Sequence, residues 1–432
     1  MLDQLELPND AIRSFVPRKE KRTVPADRVG RNPRETLWVK PLKTREEIWA
    51  HRALWNCPGT RDSDLDLFLY LAGVRAEVVE PRVYVAYRGH AAEAVLMARL
   101  EVRAIPMRLG LLTFETPRLR VLDVIYGGLR GSLDKDTMEV LVNEPIKALR
   151  AGEADVAIFE PLRADSGLWD ALQTMPRRLE RGFAGTQHNH YLMPLPRSSR
   201  QLQELIPRNQ RRDYLRKGRK LVRDFSGNVS WRWYGEASPE MYRDLEYIAE
   251  RSYQRGMGVG FEATAELRGC WDLAASKGWL RVCVLYAGGK PCAFWTGVAC
   301  CGTLWCDYMA YDRQFRAYSP GAYLVLQSFG ELSDTRREHG IREISLGPGD
   351  SHLKSLLGCS CHQEKSVYLY APTLGGATLN ALVSFVFAAD RAARRCLAPG
   401  NPFAQAAKRI RREYAIRSMA WQRRLETATF QK

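Results

Sequence analysis

Apolar and polar positions along this 432-residue chain alternate with two periods. Runs of period two at 83–87, 93–102 and 119–125 predict strands, because successive strand residues point to opposite faces of a sheet. The apolar run 155–159 and the segment 188–193 are read as strands as well. Segments 44–53 and 133–150 carry the wider apolar spacing of helices. Thr44 with Glu47 three residues on has the form of a capping box. The same order then returns. Strands are expected at 229–234, 280–286, 292–299 and 304–311, with a helix from Pro239, well suited to a first helical turn. Gly288-Gly289-Lys290 predicts a hairpin turn. A helix over 320–340, a strand at 343–346 and a last strand at 364–370 follow.

The two runs are offset by roughly 190–200 residues, which reads as an internal repeat. The expected fold class is α/β (α+β): two tandem domains, each a mixed, mostly antiparallel twisted sheet flanked by helices. The expected division is a flexible leader at 1–43, a first domain at 44–196, a basic helical connector at 197–226, a second domain at 227–372 and a basic helical tail at 373–432. Pro207 is expected to break the connector in two.

Composition sharpens this picture. With 45% hydrophobic residues, sizeable cores are available and wholesale disorder is excluded. The N-terminus lacks the apolar core of a signal peptide. The longest apolar stretch, 374–389, is too short to span a bilayer and reads as a buried or interfacial helix. A cytoplasmic protein is expected, with contact at the inner face of a membrane as an option. The net charge of +16 is concentrated. Residues 197–223 carry ten Lys/Arg and two acids, and residues 391–424 ten Lys/Arg and one acid. These two segments predict either solvated helix faces or anionic partners. Eight of the ten cysteines fall between Cys270 and Cys361, and reduced thiols are expected. His352, Cys359, Cys361 and His362 match no standard zinc spacing, so no metal is expected. His188 and His190 share a strand face but are read as structural, since nothing nearby in the sequence completes a ligand set.

The candidate chemistry lies between 309 and 361. Ser319 is a plausible helix N-cap, Pro320 loses nothing at the first helical position, and Gly321 lets a ligand approach the backbone. The N–H groups of Gly321 and Ala322 would then face a pyrophosphate, with Arg313 and Arg316 supplying charge. Asp350 and Lys354 are one helical turn apart. They suit either a substrate amine and an anion, or a salt bridge with each other.

Residues 229–371 resemble the second domain of the CelD-like acetyltransferases of the GNAT superfamily, associated with cellulose and exopolysaccharide synthesis. The carrying residues are Tyr318-Ser319-Pro320-Gly321, Gly340-Ile341-Arg342-Glu343-Ile344, and Gly347 to Asp350 with Lys354. The connector from Pro207 to Lys217 looks like this family too. Tyr126-Gly127-Gly128-Leu129 and Gly152 to Val156 resemble its first domain. The sequence departs from the pattern at Ser345 and Leu353. The tandem arrangement is also similar to Fem-type aminoacyl transferases. The resemblance implies acetyl-CoA or another acyl-CoA as donor, held between strands 304–311 and 343–346, with pyrophosphate on Ser319 to Ala322. It implies a first domain with a degenerate cofactor site.

The implied reaction is direct acyl transfer to an amine or sugar acceptor. Asp350 and Asp307 are candidate bases, and Tyr308 or Tyr311 a proton donor to the leaving thiolate. Tyr311 itself is read more readily as a packed strand aromatic. Lys354 would orient an anionic acceptor. Two other expectations stand beside this one: an aminoacyl-tRNA-dependent transferase whose connector grips RNA, and a non-catalytic subunit docking on a membrane polysaccharide synthase through the basic tail.

Overall fold

The computed structural model describes residues 36–55, 59–109, 112–177, 180–182, 188–255, 260–349, 354, 357 and 359–396. These fall into two compact units, one of residues up to His190 together with those from His362, the other of Tyr191–Cys361. Asp350, His352, the first 35 residues of the expected leader and the tail beyond Cys396 lie outside the described residues.

The first unit opens with β1 (Leu37–Leu42), α1 (Arg45–Ala50), α2 (Leu65–Val74), β2 (Val78–Arg88) and β3 (Ala91–Arg103). It continues with β4 (Leu119–Gly131), α3 (Lys135–Arg150) and β5 (Val156–Arg163). The capping box of α1 forms as the sequence suggests: Glu47 N–H donates to Thr44 Oγ1 and Thr44 N–H to Glu47 Oε2, both at 3.2 Å. Strand β1 corrects the leader expected at 1–43, because it pairs with β2 from Leu37↔Arg88 to Leu42↔Val83. Strands β1 to β4 are antiparallel neighbours. Then β4 runs parallel to β5 through the crossover helix α3. Strict alternation sends Tyr84, Ala86 and Leu96 to a core under α3, and Val83, Val85 and Met97 to a core under α1 and α2.

Strand β6 (His188–Pro194) leads into the second unit. There follow α4 (Arg208–Asp224), β7 (Val229–Tyr234), α5 (Pro239–Arg251), α6 (Ala265–Ser276), β8 (Leu280–Ala287) and β9 (Lys290–Cys300). The unit is completed by β10 (Thr303–Tyr311), α7 (Pro320–Asp334) and β11 (Glu343–Pro348). The plan repeats: β7 to β10 are antiparallel, and β10 runs parallel to β11 with α7 between them. One core packs Leu324, Val325 and Phe329 of α7 on Leu285, Trp295 and Ile344; the other packs Leu245, Ile248 and Trp271 on Val282, Val284 and Phe294. Trp295, fully buried, donates its indole N–H to Ser328 Oγ at 2.8 Å, so its one polar atom is satisfied.

The chain ends, as described, with β12 (Ser360–Tyr370) and α8 (Leu374–Cys396). Strand β12 pairs antiparallel with β5 of the first unit, while β6 lies beside β11 in the second. Each unit therefore takes its closing strand from the other half of the sequence. A division at 196 and 227–372 would leave each sheet one strand short. Among the described residues, no helix is long and apolar enough to cross a membrane. Helix α8 packs Leu379, Val383 and Phe387 on its own unit and leaves Leu382 and Phe385 exposed.

Candidate active site

Strands β10 and β11 pair only from Thr303↔Glu343 to Trp305↔Ser345 and then part. Strand β10 also carries one extra residue against β9: Trp295 faces Met309, yet Gly297 faces Cys306. Such a bulge bends a strand and re-aims its side chains. At the bulge Tyr308 N–H donates to Thr296 Oγ1 at 3.2 Å. A cleft of about 900 Å³ opens between the separated strands, within the range of small-molecule sites. From β10 it is lined by Cys306, Asp307, Met309, Ala310 and Tyr311, and from β11 by Leu346, Gly347 and Pro348.

The start of α7 also borders this cleft. Arg313–Tyr318 form a short 3-10 turn, and the buried Asp312 caps it by accepting Gln314 N–H at 2.9 Å. Ser319 follows in the left-handed region, at φ 51 and ψ 53. In this conformation its hydroxyl makes no cap hydrogen bond, which corrects its expected role as a side-chain N-cap. The first turn of α7 holds no acid. Among the described residues, a Cβ placed on Gly321 would touch only the Tyr311 ring, at 3.8 Å. Neither backbone strain nor crowding by the described residues explains that glycine. What its missing side chain leaves room for is the cleft itself. Ser319, Gly321, Ala322 and Arg316 all line the cleft; Arg313 does not.

The other expected residues divide. Asp307 lines the cleft, and Tyr311 does too, while also packing against the core of its unit as expected. Tyr308 is a correction. It packs edge-on against Phe261, at 5.6 Å, with the core under α5 and α6, because alternation after the bulge gives the cleft to Met309 and Tyr311. Lys354 reaches the cleft, but its ammonium donates to the carbonyls of Gly347, Pro348 and Gly349 at 2.8–3.0 Å. Its charge holds the glycine turn after β11, which corrects its reading as a group reserved for an anionic acceptor.

Sequence reasoning read α4 as part of a basic connector and missed that Tyr214, Lys217, Tyr253 and Gln254 line the cleft. Tyr214, Gly218, Leu221 and Phe225 recur at spacings of four, three and four, the stripe by which α4 packs on its unit. Gly218 is the contact point with α7: a Cβ there would stand 2.6 Å from Cδ2 of Tyr323. Tyr214 and Lys217 thereby reach the cleft, and Lys217 pairs with Asp213 at 2.7 Å. Phe225 stacks on Phe315, and Tyr318 donates to Asp224 at 3.1 Å, so α4 also braces the 3-10 turn. Gln254, just past α5, donates its Nε2 to the Met309 carbonyl at 2.9 Å. Its buried Oε1 meets no donor among the described residues.

Burial pushes the Cys306 thiol far above its ordinary range, with the nearby Asp307 carboxylate adding to the rise. A thiol so raised stays protonated near neutral pH and is a poor nucleophile. The cleft therefore suits attack by an acceptor on a bound donor rather than transfer through an acyl-cysteine.

In the first unit, His190 does not stand alone as its sequence context suggested. Its Nδ1 lies 3.1 Å from Glu364 Oε2, and Nε2 of His362 lies 3.2 Å from Glu364 Oε1.

Residues 208–355 match the family model described as an acetyltransferase (GNAT) domain. The match begins with α4 and takes in the whole cleft. This part of the second unit is thus similar to a GNAT-type acetyltransferase domain. No curated protein matches the sequence. Among solved structures, the chain is similar to FemX at 11% identity, over 76% of this chain and 96% of that one, with a TM-score of 0.48. It is similar to a tandem GNAT protein from the clavulanic acid biosynthesis pathway at 11% identity, over 78% and 99%, with a TM-score of 0.47. A conserved protein of unknown function from Bacteroides thetaiotaomicron is 14% identical over 76% and 97%, with a TM-score of 0.46. Likenesses this distant assign no substrate. The CelD-like resemblance is matched by none of these findings at a finer level than the GNAT domain.

Proposed function

We propose that the second unit transfers an acyl group from acyl-CoA, acetyl-CoA in the simplest case, to an amine-bearing acceptor. The observation that carries this reading is the open start of α7 at the mouth of the cleft between β10 and β11. A helix start offers N–H groups and partial positive charge to a pyrophosphate, and here Ser319 makes no cap hydrogen bond and the first turn holds no acid. Arg316 and Lys217 add charge on the same rim. The pantetheine and thioester then lie along the separated strands, where Leu346 and Met309 offer apolar walls.

The acceptor nitrogen attacks the thioester carbon, the C–N bond forms, and the C–S bond breaks. Asp307 takes the proton that the amine sheds. Tyr311 donates its phenolic proton to the departing thiolate and recovers one from solvent. Gln254 Oε1, with its amide fixed on Met309, accepts an N–H of the acceptor. An amino sugar or a unit of an envelope polysaccharide suits these groups. A second reading, with aminoacyl-tRNA as donor, draws on the exposed Arg and Lys residues of α4 beside the cleft; its binding would fall steeply with salt.

Calorimetric titration of acetyl-CoA and longer acyl-CoAs into the full chain tests the proposal, with an Arg316→Ala, Gly321→Asp double variant as control. Micromolar binding lost in the variant is the expected result. No binding by any acyl-CoA overturns the proposal and moves the weight to the tRNA reading.

A further inference from the structure

The first unit holds a set of metal-ligating groups that the transfer reaction does not use. His362 and Glu364 are two residues apart on β12, hence on one face of the strand. His190, at the end of this unit's share of β6, meets them. The ligand atoms of all three lie within 4.8 Å of one another. The imidazoles of His190 and His362 stack at 4.9 Å between centroids, 15° from parallel, so both rings turn a nitrogen to the same carboxylate. Glu364 and His190 are buried, and His362 is the more exposed member.

We propose that His190, His362 and Glu364 form a divalent transition-metal site, with zinc as the expected ion. Two imidazoles and one carboxylate are a donor set that suits zinc and its neighbours and leaves a fourth position for water. Ligands each about 2.1 Å from one ion stand roughly 3.4 Å from each other. The two nitrogen-to-carboxylate separations already match that spacing. Movement of the less buried His362 ring completes the set. Tyr126 supports it from outside: its hydroxyl donates to Glu364 Oε1 at 3.1 Å, orienting the carboxylate as hydrogen bonds to metal ligands commonly do. The ion would fasten the start of β12 to the unit it joins late in the chain.

Cobalt(II) titration of the metal-stripped, reduced full chain tests this. The expected result is one site per chain, with ligand-field bands and no sulfur-to-cobalt charge-transfer band. His362→Ala and Glu364→Gln should weaken binding by about a hundredfold or more, and Tyr126→Phe by about tenfold, as for loss of a supporting hydrogen bond. The thermal midpoint of the wild-type chain, but not of His362→Ala, should rise with zinc. Equal affinity in wild type and ligand variants, or a charge-transfer band that assigns the ion to thiols, overturns the proposal. Should the ligand variants not fold, the wild-type chain decides. Bound cobalt must shift the ring-proton resonances of two histidines, and their absence also overturns it.

Discussion

Helices α3 and α7 follow the equivalent strand in two sheets of one plan, yet they begin differently. Asp134 caps α3: its Oδ1 accepts Thr137 N–H at 2.8 Å, and its Oδ2 accepts from Arg88 at 2.9 Å. Asp136 adds a second acid to that first turn. The start of α7 has neither a side-chain cap nor an acid. A carboxylate at a helix start satisfies the same N–H groups and the same partial charge that a phosphate would. The first unit has thus filled from within the position that the second leaves open. It does the same at its own bulge, where β4 carries extra residues against β3 (Leu96 faces Leu129, yet Ala98 faces Val124): Thr60 packs against Gly127 and donates to the Tyr126 carbonyl at 2.9 Å. On the proposed reading, the first unit is not a second copy of the acyl-CoA site.

The contrast can be tested hardest at the two bulges. Asp307→Asn should lower kcat by about 10²–10⁴, the usual contribution of a general base, while acyl-CoA affinity holds. Tyr126→Phe, at the other bulge, should leave turnover unchanged; a comparable loss there would break the contrast. Next in size is the packing that brings α4 to the cleft. Gly218→Ala should cost about 1–3 kcal/mol in chemical denaturation, because the added methyl collides with Tyr323. The same variant should weaken acyl-CoA binding if Lys217 and Tyr214 belong to the site. Asp134→Ala should cost about 1 kcal/mol, the worth of a lost cap. It should create no second binding stoichiometry in calorimetry, and two acyl-CoA per chain would show that the cap alone distinguished the units. The smallest effect belongs to Ser319→Gly. Relief of the left-handed serine should stabilise by about 0.5–1 kcal/mol, visible as a higher denaturation midpoint.

Features set by neighbouring residues were legible in the sequence. The Thr44–Glu47 box, the Ser238-Pro239 helix start and the Gly288-Gly289 turn, with both glycines at positive φ, are of this kind. The repeat was legible as well, because strand order and spacing survive where identity does not. Features that depend on distant partners were not. Nothing in the β10 sequence marks the extra residue that sends Tyr308 to the core and Tyr311 to the cleft. Lys354 looks available until the carbonyls it holds are seen. His190 and Glu364 belong to segments far apart in the chain, and only the exchange of closing strands brings them together. For α4, the stripe from Tyr214 to Phe225 was present, but a density of charge drew attention to the opposite face.

That exchange also orders events in time. On the ribosome, the first unit emerges before the strand that completes its sheet. Until β12 has been made, the edge of β5 stays unpaired, and unpaired edges recruit whatever strand is near. The next long strand in the growing chain is β6, whose native place is between β12 and β11. The sheet of the first half is therefore complete only once β12 has been made. The first must wait for the second, and its final closure is a test that the whole chain up to Tyr370 has been translated.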